Sequence, residues 1–173
     1  MNLQVYRFFR GMAFVGIGVL TLIALLSVVS IVGRSLTGIG LGPVRGDFEL
    51  VEIGSGVAVF CFLPWTHMRS AHAVVDILWG RFPKALQALL TVLFNALMLA
   101  AWVVLVWRMG VQLQDHRETG ETTFVLLMPL WYGYAAAMVP AALGLVAYAW
   151  KFIESLGLVA VPAEFAQAAV AEH

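Results

Sequence analysis

The stretch Arg69-Ser70-Ala71-His72-Ala73-Val74-Val75-Asp76 separates two long apolar runs, and its reading decides how the whole chain is laid out. Written on a helix, Arg69, His72 and Asp76 fall at i, i+3 and i+7 and project from one face. Val74, Val75, Leu78 and Phe82 project from the other. That division predicts an amphipathic helix lying at a bilayer surface, after one spanning helix and before the next.

The runs on either side set the class. Of 173 residues, 62% are hydrophobic and 12% charged, and the mean hydropathy is +0.92. Soluble domains carry about a quarter charged residues, so this chain has too little polar surface to form one. Its apolar runs are long enough to cross a hydrocarbon layer of ~30 Å. The expected fold is an all-α membrane protein: four transmembrane helices, with the amphipathic interfacial helix between the second and third. Residues 1–156 form the membrane domain and 157–173 a short cytoplasmic tail. A formal net charge of zero argues against nucleic acid as a partner. The lone Cys61 lies inside an apolar run and reads as a small buried hydrophobe.

Upstream, Arg7 and Arg10 precede an apolar run from Gly11 to Gly33. Secretory signals have apolar regions of only ~7–15 residues, so this run reads as an uncleaved first span. Gly11, Gly16 and Gly18 would let another helix approach closely, although glycine is also simply frequent in such helices. Residues 34–46 form a Gly-rich, turn-rich connection without a phosphate-binding motif. Asp47 is the expected N-cap of helix 2, with Glu49 and Glu52 in its first turns. Capping in the headgroup layer is the simpler account of Glu49; pairing with a basic residue of the first loop or of a partner is the sharper one. Glu52, one turn deeper, calls for a buried contact. Gly54 and Ala58 make a small-xxx-small pair.

Helix 2 is expected to end near Pro64-Trp65, and helix 3 to run from Lys84 to about Trp107-Arg108 with Asn95 bonding a neighbour. The polar stretch 109–128 reads as a solvated loop. Its Asp115, His116 and Glu118 invite a metal reading, but nothing in the spacing fixes a geometry. Helix 4 opens at Pro129. Trp131 and Trp150, nineteen residues apart, mark interfaces separated by about 28 Å. Pro140 should kink this helix and free a carbonyl for a neighbour. Arg7, Arg10, Arg69, Arg81, Lys84 and Lys151 fall on one side of the spans; Arg34, Arg45, Arg108 and Arg117 fall on the other. The bias places both termini in the cytoplasm.

The span interiors lack the charged or broken-helix features of a self-sufficient transporter or exporter. The four histidines lie at edges, in loops or in the tail, which weakens the alternative of a membrane anchor for a redox enzyme holding haem. No serine or cysteine sits with a His–carboxylate pair, so no nucleophilic catalysis is expected. No cofactor or metal is called for.

The Glu49-Leu50 pair opening helix 2, the Arg-x-x-His-x-x-x-Asp stretch after it, and Met128-Pro129-Leu130-Trp131-Tyr132-Gly133-Tyr134 opening helix 4 occur in one order on a four-span plan. In this the chain resembles the small membrane subunit (Q type) of tripartite ATP-independent periplasmic, or TRAP, transporters, from about Tyr6 to Leu156. The family's recurring positions fall on Arg34, Glu49, Leu50, Arg69, His72, Asp76, Pro129, Trp131, Tyr134, Pro140 and Gly144. Ala71, Ala73 and Pro64-Trp65 depart from its pattern around the end of helix 2. The resemblance implies sodium-coupled uptake of an organic acid, often a carboxylate, across a bacterial or archaeal inner membrane. A periplasmic substrate-binding protein would deliver the substrate to a large membrane subunit. This chain would be a non-catalytic scaffold in the lipid bilayer, with Glu49, Glu52, Arg69, His72, Asp76, Trp131 and Tyr134 as its contact residues.

Overall fold

A computed structural model describes residues 2–69 and 82–159. Among these residues four long helices carry the fold: α1 Asn2–Ser35, α2 Asp47–Met68, α3 Lys84–Thr119 and α4 Trp131–Ser155. All four are long and apolar enough to cross a membrane. The Leu-, Ile-, Val- and Ala-rich runs adopt helix because lipid offers no partner for a backbone N–H or C=O. The expected interfacial helix, with Ser70, His72 and Asp76, and the tail beyond residue 159 lie outside the described residues.

The helices pack in the order α1, α2, α4, α3, each against the next. The outer pair, α1 and α3, forms no comparable interface, so the spans make an open row. Burial follows that order. Only 11% of the most apolar window is buried in α1 and in α3, against 22% in α2 and 33% in α4.

Small residues set the spacing. A Cβ on Gly16 would lie 3.0 Å from Cys61 Cβ, and one on Gly54 would lie 2.6 Å from Ile23 Cγ2, so α1 and α2 touch nearly backbone to backbone. Gly11 and Gly18, expected to do the same, face no neighbour within 4 Å among the described residues. Between α4 and α3, Trp102 is the one buried residue of α3. Its indole lies across Gly144, where a Cβ would meet it at 2.7 Å, and its Nε1–H donates to the Ala141 carbonyl at 2.9 Å. The expected carbonyl freed by Pro140 is a different one: proline removes the donor to Ala136, four residues earlier, whereas Ala141 accepts from Trp102.

Several boundaries differ from expectation. Pro64 lies inside α2, fully buried, and the helix continues to Met68. One missing N–H does not end a helix whose backbone has no solvent to turn to. The N-cap of α2 is Gly46 in a left-handed conformation (φ +71°), and Asp47 is the first helical residue. α1 begins at Asn2, about nine residues before the apolar run. α3 continues past Arg108 to Thr119, so most of the presumed third loop is helix. Residues 109–119 are largely good helix formers. Gln114 Nε2 donates to Glu118 one turn on at 2.9 Å, and left-handed Gly120 (φ +66°) provides the stop. At 36 residues, or about 54 Å, α3 overshoots any hydrocarbon layer by several turns.

Candidate functional site

Polar side chains gather at the two ends of the row. At the end where α2 begins, Asp47 Oδ2 accepts from Ser30 Oγ of α1 and lies 3.8 Å from the Arg34 guanidinium. Its Oδ1 accepts from the Phe48 N–H at 2.8 Å. The Arg34 side chain is 68% exposed, so this ion pair contributes little, and the buried hydroxyl of Ser30 makes the firmer link.

Glu49 reaches across to the connection between α3 and α4. Oε1 accepts from the Val125 N–H at 2.7 Å and Oε2 from the Leu126 N–H at 3.0 Å. The connection is a tight lariat. Thr122 pairs with Pro129, the Thr123 N–H donates to Met128 O at 2.8 Å, and the Met128 N–H returns to Thr123 Oγ1 at 3.1 Å. Leu127 takes a left-handed conformation (φ +54°) at the apex. Leu126 rests on Gly46, where a Cβ would meet its Cγ at 2.4 Å, so the residue starting α2 must be small as well as left-handed. Glu49 is therefore held by backbone amides of its own chain and, among the described residues, pairs with no basic residue.

Glu52 differs. It is exposed and makes no side-chain hydrogen bond or ion pair among the described residues. The buried contact expected of it is not made within this row.

Trp131 and Tyr134 hold the last turns of α3 against the start of α4. Arg117 stacks over the Trp131 ring at 5.5 Å, and the His116 ring lies 4.9 Å from that of Tyr134. His116 Nδ1 is 2.9 Å from Glu121 Oε2. Asp115, His116 and Glu118 do not converge: among the described residues no group of three or more His, Cys, Asp or Glu side chains is arranged to hold a metal.

The opposite end is built from residues that sequence reasoning had not joined. Tyr6 of α1, 1% exposed, donates from its hydroxyl to Glu154 Oε2 at 2.8 Å, and Lys151 Nζ donates to Glu154 Oε1 at 2.8 Å. This ties the first helix to the last across the end of α2. Deeper, three rings stack in a column through three helices. His67 of α2 lies 4.1 Å from Tyr148 of α4, and Tyr148 lies 4.5 Å from Trp102 of α3, with interplanar angles of 12° and 17°. The Lys151–Glu154 spacing was legible as an i,i+3 pair; the column had no sequence signal. Arg69 caps α2, its backbone N–H donating to Trp65 O at 3.0 Å.

These arrangements clasp helices. The family model for the DctQ component of tripartite ATP-independent periplasmic transporters matches residues 23–157, which takes in both polar ends except Tyr6. No curated protein and no solved structure matches the chain. With the family model covering most of its length and four helices able to cross a membrane, the chain belongs to the DctQ family: it is the small permease component of a TRAP transporter, a multi-pass membrane protein.

Proposed function

We propose that this chain is a non-catalytic scaffold for the large membrane subunit of its transporter, serving sodium-coupled, binding-protein-dependent uptake of an organic acid. The observation that carries the reading is the open row. Tyr6, Ser30, Glu49 and Trp102 tie their helices to neighbouring elements, while α1 and α3 keep broad apolar faces along the two flanks of the row. A row open at its ends and on both sides offers a large partner a broad surface to pack on. The α2-start end faces outward, where the binding protein arrives, and both termini lie inside, in keeping with the distribution of lysine and arginine. Glu52 is a residue at that end available to a partner, while Arg69, His72 and Asp76 serve the inner edge.

The test is reconstitution. Liposomes holding both membrane subunits, supplied with the binding protein and an inward sodium gradient, take up labelled carboxylate. Liposomes holding this chain alone take up none. Uptake by this chain alone, or undiminished uptake without it, overturns the proposal. Arg69→Ala and Asp76→Ala lower recovery of the two-subunit complex; unchanged recovery of both removes the inner-edge role.

A further inference from the structure

The lariat between α3 and α4 carries an apolar apex that the described residues leave uncovered. Phe124 is 98% exposed, Leu127 69% and Val125 58%. Residues 122–130 contain no charged side chain.

Its level in the membrane follows from α2. That helix has 22 residues, about 33 Å, which closely matches the hydrocarbon thickness of ~30 Å. Its first turn therefore lies at the boundary between hydrocarbon and headgroups. The apex is fastened to that turn by Glu49 and by Leu126 on Gly46. α3 ends near this level too: Arg117 stacks over Trp131 at the start of α4, and Gly133 of α4 faces Ile53 in the second turn of α2.

The backbone is prepared for a layer poor in water. The N–H groups of Thr123, Val125, Leu126 and Met128 all find acceptors within the chain. A solvated loop has no need of a carboxylate clamping two adjacent amides, nor a reason to turn three large apolar side chains outward. The next residues along, Trp131 and Tyr134, are of the kind that sits at headgroup depth.

We infer that Phe124, Val125 and Leu127 are seated in the interfacial layer of the lipid bilayer and anchor the α3–α4 connection beside the start of α2. The inference rests on the depth of α2 and is independent of which partner the row supports.

Site-directed spin labelling tests it. Phe124→Cys and Leu127→Cys are made in a Cys61→Ala background, labelled with a nitroxide and placed as full chains in lipid nanodiscs, alone and assembled with the large subunit. Glu118→Cys, on the polar last turn of α3 at a similar height, is the reference for a solvated side chain. Phe124 is almost wholly exposed, so its replacement leaves the packing intact, and Leu127 gives an independent reading. The ratio of accessibility to oxygen over accessibility to a water-soluble nickel chelate should be severalfold higher at 124 and 127 than at 118. A ratio at 124 or 127 equal to that at 118 makes the loop a solvated one and overturns the inference. Shielding from both reagents in the assembled complex means that protein covers the apex, and overturns it equally.

Discussion

Glu49 and Leu126, 77 residues apart in sequence, meet where the loop's backbone N–H donates to the carboxylate at 3.0 Å; the Val125 N–H takes the other oxygen at 2.7 Å. One side chain thus fixes both the start of α2 and the α3–α4 connection. Hydrogen bonds to a charged group are worth about 1.5–3 kcal/mol each. Glu49→Gln removes the charge and turns an amide NH2 toward one of the two donors. Hydrogen exchange at Val125 and Leu126 should then quicken by roughly 10- to 100-fold, while the amides in the middle of α4 keep their protection. Exchange unchanged at both residues would show that the lariat holds itself.

Trp102 and Gly144 set how closely α3 lies on α4, since the indole occupies the space where a Cβ would stand. Gly144→Ala displaces the ring and breaks its bond to Ala141, at a cost of about 1–3 kcal/mol for overpacking. In a Trp102→Leu background the same change meets far less and should cost much less. A double-mutant cycle on thermal stability in detergent reads the coupling. Equal costs in the two backgrounds would mean that Gly144 acts through its own backbone and not through Trp102.

Tyr6, Lys151 and Glu154 form the clasp at the other end, and the two charged side chains are only 13% and 6% exposed. Removing one member of a buried pair leaves the other uncompensated, so Glu154→Ala should cost about 3–5 kcal/mol. Tyr6→Phe removes only a donor to the carboxylate and should cost about 1.5–3 kcal/mol. Thermal unfolding of the purified chain ranks them. A Tyr6→Phe loss as large as that of Glu154→Ala would place the stabilisation in the hydroxyl and not in the ion pair.

What the sequence disclosed divides along physical lines. Four helices were legible because lipid imposes helix on any long apolar run. The polar end of α3 was not, because the polarity of residues 109–119 fits a solvated loop as well as a helix. Polar residues such as Gln112, Gln114 and Glu118 are also good helix formers, and the stop sign at Gly120 stood in plain view. Glu49 was recognisable as a carboxylate near a helix start, yet its partners are backbone amides, which carry no residue signature. Trp102 stands in a run of apolar residues. Nothing local to it points to Ala141, Gly144 or Tyr148, which only the packing of α3 on α4 brings to it.

Glu52 supplies the test of where this chain meets its large subunit. It lies about one turn below Glu49 on α2, is exposed, and takes no partner among the described residues. An unpaired carboxylate at the centre of a span costs about 2.5–3.5 kcal/mol on insertion scales and less toward the boundary. Because α2 is flanked by α1 and α4 in the row, a side chain exposed on it faces a broad side of the layer. A cation offered there by a partner would offset the cost and fix the register of docking. Glu52→Lys should therefore reduce recovery of the two-subunit complex by an order of magnitude or more. Glu52→Gln, which removes attraction without adding repulsion, should reduce it less. Both variants should leave the chain's own thermal stability nearly unchanged, since no internal bond is lost. Full recovery with Glu52→Lys would mean that this side of α2 faces lipid or water, and the contact would then have to be sought on the apolar flanks of α1 and α3.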